Sequence, residues 1–392
     1  MNIFETFIGK ERPLSWALQF WPVLVCSWVC AFGATWVCKK IAVKLGIVDR
    51  PNTTVKTHKE PVAYLGGIGI LAGLTVGILT GIVQIQNFES FSKSLDGLLG
   101  ILAGAGIACF VGLVDDIMDI RPWQKMAGQA AAAGVLLFAG VRPSLSFLFT
   151  YITGQPITPG LEWGLDALIV LFFVLGAANS LNLLDGLDGL CGGVTAIITL
   201  GMLFLAVHLS TWKFSESGDP VRMIVCLGIT GGVLGFLPFN RYPAKIFMGD
   251  AGSLLLGFIC AALMILFAEN IPRWWMASIM IFGLPILDTA TALARRLINK
   301  RPLFVSDRGH IYDQLMDRGY SLKQSVAICY GLAGMYVVIG LLMSQIRTRY
   351  AAVVYLIVMA VSATVIWKKG FLKMEGLRGA IRDHATDSQN NP

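Results

Sequence analysis

The residues Asn179-Ser180-Leu181-Asn182-Leu183-Leu184-Asp185-Gly186-Leu187-Asp188-Gly189-Leu190 lie between two long apolar runs, about 165–181 and 190–209. Asn179, Asn182, Asp185 and Asp188 recur at intervals of three. On a helix each such step turns about 300°, so the four polar groups drift slowly round one face. Gly186 and Gly189 then interrupt the helix and admit close backbone approach. Asp-Gly is also ordinary turn chemistry. Two carboxylates and two amides at the edge of apolar segments are nevertheless costly unless something binds them, and comparable clusters recur along the chain.

The surrounding composition decides the class. Of 392 residues, 55% are hydrophobic and only 14% charged, with a mean hydropathy of +0.68. A soluble domain is about 25% charged, so the chain reads as an all-α integral membrane protein. A spanning helix needs about 20 apolar residues. Eleven candidates follow, near 16–37, 65–85, 97–114, 126–141, 165–181, 190–209, 221–237, 253–268, 274–293, 324–343 and 350–367. Neither a repeat nor a long linker divides them. The reading is one polytopic domain over 1–370 and a polar tail, 371–392. The eight cysteines fall in or beside apolar runs with no paired CxxC pattern, which predicts buried thiols rather than a disulfide framework or a zinc site. The first residues lack a basic stretch, short apolar core and small-residue cleavage site, so no removable signal peptide is expected.

Orientation follows from Lys and Arg in the connections. One side collects 22 of the 31 basic residues, in groups at 39–59, 121–125, 241–245, 295–323 and 368–382. The rule therefore predicts the N-terminus outside and the C-terminus in the cytoplasm. Anionic inner-leaflet lipid accounts for the basic excess, and no nucleic acid is needed. Asp115, Asp116 and Asp119, the opening stretch, and Asn240 to Ser253 all fall on that basic face.

A phosphate-handling site is one use for such a face. Asp115 and Asp119 are four apart and are expected to share a helix face, with Asp116 about 100° away. Adjacent carboxylates need a cation or a proton between them, and hard oxygen donors suit Mg²⁺. Asp250 stands in Gly249-Asp250-Ala251-Gly252-Ser253. Backbone N–H groups at such a helix start favour phosphate.

Taken together, these segments resemble the polyprenyl-phosphate N-acetylhexosamine-1-phosphate transferases. The matching pieces are Asp115-Asp116-x-x-Asp119, Asn179 through Leu190, Phe247-Met248-Gly249-Asp250-x-Gly252-Ser253-Leu254, Pro285-x-x-Asp288-Thr289, and Asp307-Arg308-x-His310. The stretch Asp49-Arg50-Pro51-Asn52 with Lys56, His58 and Gly66-Gly67 is also similar. The resemblance implies transfer of a HexNAc-1-phosphate, expected to be GlcNAc-1-phosphate, from a UDP-sugar to undecaprenyl phosphate with release of UMP. It implies a bacterial inner-membrane enzyme at the start of a cell-envelope polysaccharide pathway, dependent on Mg²⁺, with Mn²⁺ as substitute. By the same resemblance Asp250 is the metal ligand, and Asp115, Asp116 and Asp188 are catalytic. Lys125, Asn182, Asp185, Phe247, Arg308 and His310 bind substrate, with Phe247 at the uracil. The expected partners are the UDP-N-acetylhexosamine, polyprenyl phosphate and membrane lipid; a homodimer is compatible with the sequence.

The family's His-x-His-His loop reads His310-Ile311-Tyr312-Asp313 here, which leaves the exact sugar open. A muramoyl-pentapeptide-type transferase is the alternative within the superfamily, although the Pro285-to-Asp288 motif favours the UDP-GlcNAc branch. A transporter is the alternative from another class. It would show internal symmetry and charges near the midplane, whereas these charges gather at one interface.

Overall fold

The computed structural model describes residues 14–49, 61–85, 91–143, 154–155, 157–211, 219–268, 272–300 and 309–372. A short helix, Leu14–Leu18, leads into α1 (Trp21–Leu45). Then come β1 (Val48–Asp49), β2 (Val62–Ala63), α2 (Gly66–Ile85), α3 (Phe91–Met118), α4 (Pro122–Phe138), α5 (Pro159–Leu184), α6 (Leu190–Thr211) and α7 (Asp219–Asn240). The last six are α8 (Gly249–Leu266), α9 (Pro272–Ile281), α10 (Gly283–Ile298), α11 (Ile311–Asp317), α12 (Leu322–Gln345) and α13 (Thr348–Lys368).

Among the described residues nine helices are long and apolar enough to cross a membrane, or ten if a bent pair counts as one span. Nine of the eleven expected spans fall on them. The span expected at 126–141 is α4, which begins at Pro122 and has 17 residues. That is about 26 Å, short of the ~30 Å hydrocarbon core. The span expected at 274–293 is broken into α9 and α10, bent by 68°. Gly283 opens α10 where a Cβ would overlap the Tyr336 ring. Pro285 sits in that first turn, where its missing N–H costs no helical bond. The polar tail beyond residue 372 and the stretch 50–60, with Arg50, Lys56 and His58, lie outside the described residues.

Helices α7 and α8 form the centre, each with 89% of its apolar window buried, whereas α13 has only 11%. Lipid offers helices no hydrophobic drive to associate, so close approach relies on small residues and on hydrogen bonds. A Cβ at Gly67 on α2 would overlap the backbone of Ala251 and Gly252, and one at Gly112 on α3 would overlap that of Asp250. The first turn of α8 is thereby held between α2 and α3. The β1–β2 ribbon is antiparallel, with Val48 opposite Ala63, and Ala63 also bridges to Ile246. Phe247 N donates to Ala63 O at 2.8 Å, while Gly66 N and Gly67 N donate to Phe247 O and Met248 O at 3.0 and 3.1 Å. All eight cysteines are free, and six of them are buried.

Candidate active site

Three helix ends meet at one ammonium. Pro122 at the first position of α4 pre-sets the helical turn and places Lys125 one turn in. Its Nζ donates to Asp115 Oδ2 at 3.0 Å and to Asn182 Oδ1 at 3.1 Å, and it pairs with Asp250 Oδ2. Asp115 comes from the end of α3, Asn182 from the end of α5 and Asp250 from the start of α8. Asn182 Nδ2 completes the ring by donating to Asp250 Oδ1 at 2.8 Å and to Ser253 Oγ at 3.0 Å. The three charged side chains are only 15% (Lys125), 15% (Asp115) and 28% (Asp250) exposed, so their attraction is poorly screened.

Asp116 has a different task. Its two carboxylate oxygens accept from Asp250 N at 2.8 Å and Ala251 N at 3.1 Å. It thus satisfies two N–H groups that the first turn of α8 leaves open, and its charge faces the positive end of that helix. Gly249, at φ +67°, makes the approach possible, since a Cβ there would strike the Asp116 carboxylate. Asp119 does not share the face of Asp115, contrary to the sequence expectation. Helix α3 ends at Met118, and Asp119 lies beyond it at φ +49°, exposed.

The opening stretch behaves as its glycines require. Helix α5 stops at Leu184, Gly189 adopts φ +77°, and α6 starts at Leu190. Asp188 Oδ2 accepts from Ala244 N at 2.9 Å. Gly189 N donates to Asn240 Oδ1 at 3.0 Å, and Gly189 O accepts from Tyr330 Oη at 2.6 Å. Burial, reinforced by the carboxylates of Asp250, Asp116 and Asp188, pushes the acid of Asp185 well above the ordinary carboxylate value. An acid so placed is relieved by a proton or by a bound cation.

A second polar cluster sits beyond the α9–α10 break. Asp288 is fully buried and accepts from Ile311 N at 2.6 Å, with its other oxygen 2.7 Å from His310 Nδ1. The partners of Asp288 thus come from another segment, at the start of α11. Arg295, also fully buried, donates to Gly309 O. Tyr312 stacks on His310 at 5.7 Å and donates to Leu183 O at 3.2 Å. Gly186 leaves room for that ring, because a Cβ there would overlap the phenol. Tyr312 thus ties this loop to the last turn of α5. Phe247 lies near the α8 start, with its ring centroid 6.0 Å from that of Tyr64. Arg308 lies outside the described residues.

Sequence reasoning singled out neither Ser253 nor Gln129 as ligands of the amide groups. Gln129 is fully buried and accepts from Asn179 Nδ2 at 2.9 Å. A glutamine within an alanine-rich helix was the available signal. Among the described residues, no three His, Cys, Asp or Glu side chains group as a metal site. Hard oxygens of Asp115, Asn182 and Asp250 nevertheless converge on one cationic atom, Lys125 Nζ. Two carboxylates and an amide oxygen around a cation are a donor set that Mg²⁺ accepts, with water and phosphate oxygens completing its shell.

The sequence that carries this constellation is similar to that of known proteins. The family model described as "Glycosyl transferase family 4" matches residues 98–268, which run from α3 to α8 and include the whole Lys125 cluster. The probable undecaprenyl-phosphate N-acetylglucosaminyl 1-phosphate transferase of Bacillus subtilis is 33% identical over 303 residues, 75% of this chain and 76% of that protein. The chain belongs to glycosyl transferase family 4. Its similarity extends to the decaprenyl-phosphate N-acetylglucosaminephosphotransferase of Mycobacterium tuberculosis H37Rv, 29% identical over 78% of each chain. The undecaprenyl-phosphate alpha-N-acetylglucosaminyl 1-phosphate transferase of Escherichia coli K12 is 28% identical, again over 78% of each chain. Asp288 and His310 lie beyond the part matched by the family model, so their cluster is supported by its own geometry.

Proposed function

We infer that the protein transfers N-acetylglucosamine 1-phosphate from UDP-N-acetylglucosamine to a polyprenyl phosphate such as undecaprenyl phosphate, releasing UMP. The observation that carries this reading is the Lys125 cluster at the ends of α3, α5 and α8, in a chain similar over three-quarters of its length to transferases named for that reaction. An oxygen of the lipid phosphate bonds to the sugar-bearing phosphorus as that phosphorus parts from the UMP oxygen. The second pKa of a phosphate monoester is near 6, so at pH 7 the acceptor is largely dianionic and needs little base. Positioning and charge neutralisation then account for catalysis.

In this scheme Asp116 orients Asp250 through the α8 backbone, and Asp115 and Lys125 form the corner where the two phosphates meet. Asn182, Asp185 and Asp188 hold the nucleotide sugar, Phe247 offers its ring to uracil, and Arg308 and His310 complete the donor pocket. Bound Mg²⁺, or Mn²⁺, would be held by Asp250, Asp115 and Asn182 and would supply charge neutralisation at the pyrophosphate. The basic asymmetry of the connections supports a cytoplasmic active face in the bacterial inner membrane, with the N-terminus outside. The chemistry of a lipid-linked sugar suits the first membrane step of a cell-envelope polysaccharide pathway.

Tyr312 and Asp313 depart from the His-x-His-His pattern that the family resemblance implies, so the sugar is the finer point to test. Purified protein given undecaprenyl phosphate and a panel of UDP-sugars is expected to turn over UDP-N-acetylglucosamine with the highest kcat/KM. Preference for a muramoyl-pentapeptide donor would overturn the assignment of sugar.

A further inference from the structure

Outside the Lys125 cluster a cavity of about 670 Å³ lies between α7 and α12. Its walls run from Leu234 to Tyr242 on one side and from Leu322 to Tyr330 on the other. On α12 the lining covers eight helical steps of about 1.5 Å, so that wall extends about 12 Å. The polarity is graded along that length. Arg241 and Lys323, both exposed, stand just past the end of α7 and at the start of α12, which is the same end of the cavity. Deeper in, Leu234, Leu237, Val326 and the Tyr330 ring make the walls apolar.

From this grading we propose that the cavity binds one anionic phospholipid of the surrounding bilayer, its phosphate between Arg241 and Lys323 and part of an acyl chain against Leu234, Leu237 and Val326. A soluble anion would use only the mouth, whereas a phospholipid uses both ends. Asp188 is the carboxylate in the lining. Its Oδ2 accepts from Ala244 N, and two basic groups against one acidic group leave the lining positive. Gly189, held by Asn240 and Tyr330, also lines the cavity. A seated lipid therefore braces the turn that carries Asp185 and Asp188. The proposal concerns binding and stands whether or not the transferase reading holds.

The test is lipid retention by the full-length purified protein, measured by native mass spectrometry with phosphatidylglycerol and phosphatidylcholine of identical chains. Each basic group near a phosphate strengthens binding about fivefold, so wild type is expected to prefer phosphatidylglycerol by about that factor or more. The pair Arg241→Gln and Lys323→Gln should abolish the preference. The pair Lys368→Gln and Lys369→Gln, which removes equal charge elsewhere on the basic face, should retain it. Val326→Trp, which fills the cavity without altering its charge, should lose it too and guards against misfolding of the double variant. Equal loss in both charge pairs, or full retention in Val326→Trp, would overturn the site. Displacement of phosphatidylglycerol by polyprenyl phosphate at equal concentration would also overturn it, because the cavity would then hold the acceptor.

Discussion

Replacing Lys125 by Met removes the ammonium that Asp115 and Asp250 share while keeping most of its length. The pair is largely buried, with exposures of 15% and 28% for the two carboxylates. Removing one partner of a buried pair costs about 3–5 kcal/mol. Because these side chains remain partly exposed, the lower end, about 3 kcal/mol, applies. Without divalent cation the variant should unfold several degrees below wild type. Mg²⁺ should then act in the opposite direction. In wild type an entering cation must displace the ammonium, whereas in the variant the oxygens of Asp115, Asn182 and Asp250 face an uncompensated gap. Ligand at a hundred times its Kd returns about 2.7 kcal/mol, nearly the whole loss. Thermal unfolding in detergent, with and without Mg²⁺, is the assay. The Mg²⁺-induced rise in Tm should be clearly larger for Lys125→Met than for wild type, together with lower turnover. Identical Mg²⁺ shifts in the two proteins, or equal stability in its absence, would refute the reasoning that this ammonium marks the cation position.

Asp116→Asn leaves one of the two α8 N–H groups facing an amide NH₂. It should lose about 1.5–3 kcal/mol of stability and about a hundredfold in kcat through displacement of Asp250, and a wild-type kcat would contradict the capping role. Asp188→Asn keeps an oxygen for Ala244 N but loses the charge. KM for the UDP-sugar should rise with little change in kcat, and the reverse pattern would move Asp188 out of donor binding. Single cysteines at 93 and 300 in a cysteine-free background test orientation. A membrane-impermeant maleimide on intact cells should modify only the former.

The spans were legible because apolar runs of about 20 residues have few alternatives, and some of their ends stand beside glycine or proline, as at Gly46, Pro159 and Gly249. The exceptions have local causes. Hydropathy runs unbroken through Gly283 and Pro285, so the α9–α10 bend is hidden by residues that are themselves compatible with an apolar span. Helix α4 was drawn too far along the chain because Pro122, its true start, precedes the apolar run. Within the site, Asn182 and Asp250 stood out as polar groups in apolar company. Their union with Lys125 did not, since partners 57 and 125 positions apart leave no periodic trace. Asp119 was misplaced because spacing by four assumes a continuing helix, and α3 had ended one residue earlier. Tyr312 was visible as a substitution. Its fit over Gly186 required the fold to bring α11 against the end of α5.

The most direct test of the central claim is UMP release from UDP-N-acetylglucosamine by purified protein, with and without polyprenyl phosphate. Direct attack by the lipid phosphate requires both substrates at once. An enzyme that first formed an aspartyl-phosphosugar on Asp115 or Asp116 would release UMP, and exchange labelled UMP into the donor, before the acceptor arrived. One UMP should appear per lipid-linked sugar with acceptor and Mg²⁺ present, with no exchange in the absence of acceptor. Lipid-independent exchange would contradict the single-step mechanism, and absence of lipid-linked product under every condition would contradict the transferase itself.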